Sequence, residues 1–363
     1  MKFSYHWLKE LSGTRKSPDQ LARLLMMRAF EVESVERGEL TLENLVIGEI
    51  VALEQHPNAD RLKIATVHTK GEDRHVIVCG APNQKVVVAL PGTILPGDMK
   101  IEEASLRGVV SQGMLCSERE LGLGDRHEGI LVLPADAPRG ALFAKHYGIA
   151  DAVLDIKVLP DRGSDALSYQ GMAREIAALD GYAPRFAEAE KKRLRIPAYN
   201  RAPRVAIADK TACVRYLGLS IKGVRVTPSP FWLFLRLFQS GKISRNNVVD
   251  LTNYLMLLTG QPLHAFDADK LSGGIAVRRA KKGERLKLLS GETIRLHPED
   301  IVIADQKRAL ALAGIMGGES SAVSDKTENI FLELAVFDPA SIRRSRVRHG
   351  PYDGCELPLR ARP

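Results

Sequence analysis

The stretch from Leu45 to Gly92 constrains the fold most. Short apolar runs at Leu45–Leu53, Val76–Cys79 and Val86–Leu90 alternate with the turn-forming strings His56-Pro57-Asn58, Ala81-Pro82-Asn83 and Pro91-Gly92. Runs this brief, each closed by proline, asparagine or glycine, leave no room for the crossover helices of a parallel sheet. They predict a small β-barrel.

The flanking segments read differently. Near the start, Ser17 is an N-cap, Pro18 takes the first helical position and Gln20 completes a capping box, with Leu21, Leu24, Leu25 and Arg28 following at helical spacing. A strand at Val153–Leu159, a turn at Pro160-Asp161-Arg162 and a helix opening near Gly163-Ser164-Asp165 follow the barrel. Met172, Ile176 and Leu179 form that helix's apolar face, and Gly181 stops it. Residues 1–40 and 150–190 thus read as two halves of one small α+β domain, interrupted by a barrel at 41–149. Residues 191–204 form a charged, proline-rich linker whose run Lys191-Lys192-Arg193 reads as a solvated connector more readily than as a phosphate contact. A second α+β domain spans 205–350. Its expected parts are a helix capped by Thr227-Pro228 with Phe231, Phe234, Leu235 and Phe238 on its face, a helix within Asn247–Leu258, and strands at Gly274–Arg279, Ile301–Ala304 and Ile330–Phe337.

The chain has 363 residues, enough for two or three domains, and a net charge of +8 that suits a polyanionic partner. Aromatic residues make up only 6%, so an RNA surface would lean on phosphate and shape more than on stacking. Cys79, Cys116, Cys213 and Cys355 are far apart and show no zinc-ligand spacing, which favours free thiols in a reducing compartment and no metal site. With no apolar leader and no membrane-length apolar stretch, the expected location is the cytoplasm, with no membrane partner.

Specific strings go beyond pattern. His56-Pro57-Asn58-Ala59-Asp60, Cys79-Gly80-Ala81-Pro82-Asn83 and Gly113-Met114-Leu115-Cys116-Ser117 resemble the tRNA-binding barrel of the oligonucleotide-binding class. Four more lie in the second domain: Asp250-Leu251-Thr252-Asn253-Tyr254, Gly260-Gln261-Pro262-Leu263-His264-Ala265-Phe266-Asp267, Ala313-Gly314-Ile315-Met316-Gly317-Gly318 and Leu332-Glu333-Leu334-Ala335. Singly they say little. A lone His264 is more often structural than catalytic, and the glycines at 314, 317 and 318 lack the Lys-Ser/Thr of a phosphate loop. Glu333 stands out because a carboxylate in an apolar strand is costly to bury. In this order, the strings resemble the amino-acid editing domain of bacterial phenylalanine–tRNA ligase β subunits.

The resemblance implies a multidomain α+β/β protein: a small α+β domain with an inserted oligonucleotide-binding-type barrel, then an α+β editing domain. It implies binding of the tRNA specific for phenylalanine, not DNA, with Asn58, Asp60, Arg61, Lys63, Arg107 and Ser117 as contacts. It also implies hydrolysis of tyrosine wrongly joined to that tRNA. Glu333 would accept the tyrosine hydroxyl, Ala335, Pro262 and Gly314 would leave space for the ring, and Thr252, Asn253 and His264 would hold the amino group, the ester and the attacking water. No cofactor is expected in this stretch. ATP and magnesium belong to the complete ligase, whose aminoacylation site lies in the α subunit. The family's turn after the barrel usually reads Pro-Asn-Arg-Pro-Asp; Asp161 and Gly163 depart from it.

Family members are much longer chains. After His349-Gly350 they continue approximately Leu-Arg-Thr-Asp-Ala-Ser-Tyr-Arg-Phe-Glu-Arg-Gly, whereas Pro351–Pro363 does not. Codon degeneracy permits a one-nucleotide shift that restores nearly that string, so residues 351–363 read as an out-of-frame tail. The alternatives are a stand-alone tRNA-binding module, against which the second-domain strings speak, and a nonfunctional truncation product.

Overall fold

The computed structural model describes residues 1–37, 42, 44–60, 62–71, 73–78, 82–127, 129–186 and 203–350. Arg61, Cys79 to Ala81, nearly all of the expected linker and the tail at 351–363 lie outside the described residues.

Chain segments remote in sequence build the first sheet. Its antiparallel order is Lys2–Ser4, Ala152–Lys157, Glu31–Arg37. Helices Tyr5–Ser12, Pro18–Arg28 and Tyr169–Asp180 accompany it. Ser17 and Gln20 form the expected capping box, and Gly181 ends the third helix in the left-handed conformation at φ 77°. That helix starts later than the sequence suggests. Arg162 bridges Asp165 and Glu175, both at 2.8 Å, and holds the preceding segment in a turn, while Ser168 supplies the cap by accepting from the Gly171 N–H at 3.0 Å.

The stretch expected to be a barrel forms a six-stranded antiparallel sheet. Its path runs Met114–Leu115, Lys85–Ala89, Leu45–Gln55, Lys63–His68, Asp73–Val78, with Val132–Leu133 also pairing Lys85–Ala89. The long Leu45–Gln55 strand is buried on both faces over its first half and emerges into solvent at Glu54 and Gln55. Val46 and Ile50 pack with Val67, Val76 and Val88, whereas Leu45 and Ile47 pack with Phe143, Phe231 and Phe234. Near-continuous apolar runs are the sequence signature of such strands.

Residues 203–350 form two larger sheets that share a core. One is three-stranded, with Asn329–Phe337 between Cys213–Lys222 and His264–Asp267; the other orders Val205–Ile207, Ile275–Arg279, Ile301–Ala304, Ala309–Leu312 and Met316–Gly317. The helix Phe231–Gln239 begins three residues after the expected cap at Pro228. Pro230 holds Ser229 out of the helical region, and Thr227 instead bonds Asn247, donating its N–H to Oδ1 at 3.2 Å and accepting from Nδ2 at 3.2 Å. Phe231, Phe234 and Leu235 pack into the core of the six-stranded sheet, and Leu237 joins the N-terminal core with Trp7 and Tyr169. Asn247–Thr259 follows, capped by Asn246. Its Asp250 is fully buried and accepts from Ser229 and Ser244 at 2.5 Å and the Arg245 N–H at 2.9 Å. Tyr254 stacks on Trp7 with ring centroids 5.1 Å apart. Among the described residues no helix is long and apolar enough to cross a membrane.

The last described helix, Pro339–His349, docks by charge as well as by Ile342. The buried Asp300 carboxylate accepts from the His297 N–H at 2.7 Å, Ser345 at 2.7 Å, Arg348 at 2.5 Å and His349 at 2.6 Å. Burial alone would raise its pKa, but bonds from His349, the His297 N–H and Ser345 outweigh it and hold the group below its ordinary 3.8. A lowered carboxyl pKa stabilises the fold fully above the ordinary value, and that contribution is lost as pH falls through the lowered one. Amide protection factors in Pro339–His349 therefore drop as the solution is acidified below pH 3.8, and stay low at neutral pH in Asp300→Asn. Protection unchanged by both treatments would show that the helix docks by apolar contact alone.

Candidate functional site

Strand alternation sorts the second-domain candidates. In Asn329–Phe337, Phe331, Ala335 and Phe337 contribute to the core shared with the five-stranded sheet, so Glu333, in phase with them, faces the same way. Ile330 and Leu332 point to the other face and pack with Val226, Val248 and Ala265. Register then brings His264 directly opposite Glu333 on one side and Gly218 on the other, while Tyr216 lies opposite Ala335 in the next row.

This row sits in tight surroundings. Glu333 is 6% exposed. His264 is half-buried, with its ring 4.5 Å from that of Phe266 in an edge-on contact. A Cβ at Gly317, on the facing sheet, would lie 2.6 Å from His264 Cε1, so only glycine admits the imidazole there. A Cβ at Gly218 would lie 2.2 Å from Phe331 Cζ, so the Phe331 ring occupies the space over that glycine. Gln261 donates to the Ala335 carbonyl at 3.5 Å, which places Pro262 beside the Ala335 row.

Nearby titratable groups register the carboxylate. Burial, followed by the charge of Glu333, pushes the Tyr216 phenol far above its usual range. Burial is also the first cause for Cys213, whose thiol rises to about 11 with Glu333 contributing. Tyr216 Oη is buried and hydrogen-bonded to nothing among the described residues, an arrangement that costs about 1–3 kcal/mol. Sequence reasoning passed over Tyr216 and Gly218. It noted Gly317 only within the Ala313–Gly318 string, without the contact to His264.

The other candidates are less concentrated. Thr252 and Asn253 lie on Asn247–Thr259, whose Val248 packs on the face opposite Glu333. Thr252 bends its hydroxyl back to the Val249 carbonyl at 2.7 Å. Gly314 takes φ 70°, and a Cβ there would meet Ile342 Cδ1 at 2.9 Å, so it seats the last helix.

Beside the six-stranded sheet, Asn58 and Arg107 clasp each other between the loop after Leu45–Gln55 and the hairpin turn joining Ala104–Leu106 to Val109–Ser111. Asn58 Nδ2 donates to the Arg107 carbonyl at 2.9 Å, and Arg107 Nη1 donates to the Asn58 carbonyl at 3.4 Å. His56, nearly enclosed, meets the Leu106 carbonyl at 3.1 Å and so fixes the same two loops. Asp60 and Lys63 are exposed, whereas Ser117 is buried in a turn, its hydroxyl accepting from the Glu120 N–H at 3.4 Å. Cys116 is a buried thiol raised to about 12, chiefly by burial. Among the described residues no three His, Cys, Asp or Glu side chains group to hold a metal.

Comparison with known proteins follows this division. Residues 45–142 match a putative tRNA binding domain and residues 212–353 match a B3/4 domain, which defines a mixed α+β multidomain chain carrying both modules. A phenylalanine–tRNA ligase beta subunit from Fusobacterium nucleatum subsp. nucleatum is 42% identical over 349 residues, covering 95% of this chain and 44% of that protein. One from Geobacter metallireducens is 44% identical over 355 residues, covering 96% of this chain and 44% of that protein. Among solved structures, an N-terminal fragment of the phenylalanyl-tRNA synthetase beta-subunit from Pyrococcus horikoshii aligns with TM-score 0.29 and 16% identity, covering 56% of this chain and 63% of that one. The chain belongs to the phenylalanine–tRNA ligase beta subunit family and spans less than half the length of the Fusobacterium and Geobacter proteins.

The contact across the two sheets generates a direct expectation. Gly317→Ala costs about 1–3 kcal/mol of stability, as overpacking does, and displaces the His264 ring. Chemical denaturation and the His264 imidazole NMR signals measure these effects. Ring signals identical to the parent's would mean that the strand moves as a whole and the imidazole does not depend on the glycine.

Proposed function

We propose that this chain is the tRNA-binding and proofreading portion of a phenylalanine–tRNA ligase beta subunit. The observation that carries the proposal is Glu333 directly opposite His264, between two sheets and one row from Ala335. In this reading 1–40 and 150–190 form one domain, 41–149 is an oligonucleotide-binding-type barrel that contacts tRNA, and 205–350 is the editing domain. Asn58, Asp60, Arg61, Lys63 and Arg107 serve the barrel's contact, Arg107 and Asn58 by setting the shape of the two loops; Ser117, expected as a contact, is buried and caps its turn instead. ATP and magnesium act at the aminoacylation site of the α subunit in the complete ligase, and no step assigned to this chain uses them.

The chemistry needs discrimination more than power. An apolar pocket binds phenylalanine and tyrosine with little distinction, because it rejects an added hydroxyl weakly; a site that hydrogen-bonds the hydroxyl distinguishes them strongly. Glu333 accepts that hydroxyl, and Ala335 with Pro262 leaves room for the ring; Gly314, expected to share that task, has Ile342 in the space its side chain would take. Water then attacks the ester carbonyl carbon, the bond from that carbon to the ribose oxygen breaks, and the ribose oxygen takes up a proton. Asn253, Thr252 and His264 hold the amino group, the ester and the water, so positioning supplies much of the rate.

Deacylation of tyrosyl- and phenylalanyl-tRNA by the purified chain tests this. The parent hydrolyses the tyrosyl ester and spares the phenylalanyl ester. Glu333→Ala lowers kcat/KM for the tyrosyl ester roughly tenfold to hundredfold and leaves the other unchanged. Equal hydrolysis of both esters by the folded parent would refute Glu333 as the hydroxyl reader.

A further inference from the structure

Tyr216 carries a buried hydroxyl that neither donates nor accepts a hydrogen bond among the described residues. It is 8% exposed, on the edge strand Cys213–Lys222, opposite Ala335 and in phase with Gly218, which pairs with Glu333. Tyr216 and Glu333 therefore share one face in adjacent rows, diagonal to each other, a separation that an aromatic and a long side chain can span. Charge on Glu333 reaches both the Tyr216 phenol and the Cys213 thiol.

We propose that Tyr216 is a positioning residue for Glu333. The phenol O–H donates to the Glu333 carboxylate when that carboxylate turns to accept a ligand's hydroxyl, and so keeps it ionised and aimed. The inference rests on Glu333 as the hydroxyl reader. An ionised carboxylate has about four acceptor sites, enough for Tyr216, a ligand hydroxyl and His264 together. Three titratable groups face Glu333 from the adjoining strands: His264 on one side, Tyr216 and Cys213 on the other. Of these, the thiol is a weak donor and the imidazole stands at the opposite edge, so the phenol is the donor suited to that side. A bond to a charged acceptor is among the stronger ones available, and the otherwise idle buried hydroxyl then gains a partner.

Tyr216→Phe removes the oxygen and keeps the ring that packs in the core. Two readouts follow in the full chain. In the first, the Glu333 carboxyl titration, followed by ¹³C NMR with Glu333→Gln for assignment, has its midpoint roughly one pH unit higher in Tyr216→Phe than in the parent. In the second, the acidic limb of selective tyrosyl-ester hydrolysis moves upward by the same amount. An unchanged midpoint in the first readout overturns the positioning role whatever the activity. A shifted midpoint with no tyrosyl preference in the parent upholds the Tyr216–Glu333 bond and instead defeats the proofreading reading. Should Tyr216→Phe fold poorly, a 3-fluorotyrosine at position 216 keeps the hydroxyl, and its fluorine signal must follow the Glu333 titration. A fluorine signal flat across that titration also overturns the proposal.

Discussion

The Phe231–Gln239 helix is apolar on nearly every side, with Phe231, Leu233, Phe234, Leu235 and Leu237 all buried, and a helix of that composition has to be enclosed. It is enclosed by parts of the chain far from it in sequence. Phe231 and Phe234 fill the core beside Phe143, Leu237 enters the core of Trp7 and Tyr169, and the following helix places Leu257 there too. Val248 of that second helix then supports the sheet strand carrying Glu333 from behind. Asp250 fixes the turn between the two helices by satisfying Ser229, Ser244 and the Arg245 N–H. One helix pair thus couples the N-terminal sheet, the six-stranded sheet and the candidate site. Its apolar surface is the constraint on which their mutual arrangement depends.

Local signals in the sequence carried a good part of this. Alternating short runs with Pro and Gly between them located the strands near Leu45 and Val86, and the Ser17 capping box and the Gly181 stop appear where spacing placed them. Each signal lies within a few residues of the element it governs. The misplaced helix starts have local causes of another kind. Pro230 delays one, and the Arg162 bridges to Asp165 and Glu175 hold the segment before the other.

Long-range pairing was not legible. Nothing near Gly218 reveals that Phe331 lies over it, and nothing near Gly317 reveals His264, because antiparallel register fixes those contacts between distant segments. The same holds for Tyr216, whose buried hydroxyl acquires meaning only beside the Glu333 row. Glu333 itself was legible through cost: a carboxylate in an apolar strand calls for a reason, and the strand does bury it. The fate of Phe231 was half legible. Its spacing gives the helix face, but not that the face belongs to the core of another sheet.

The site is economical in physical terms. Two glycines admit rings, one carboxylate and one imidazole meet across a strand pair, and the residues around them are apolar. Its central claim, that this row recognises a phenolic hydroxyl, is tested most directly by binding rather than turnover. Calorimetry with non-hydrolysable amide analogues, tyrosyl- and phenylalanyl-3′-amino-adenosine, reads recognition alone. The account predicts that the tyrosyl analogue binds at least roughly tenfold more tightly to the parent chain, and that Glu333→Ala abolishes the difference. Equal affinity of the parent for both analogues would contradict it.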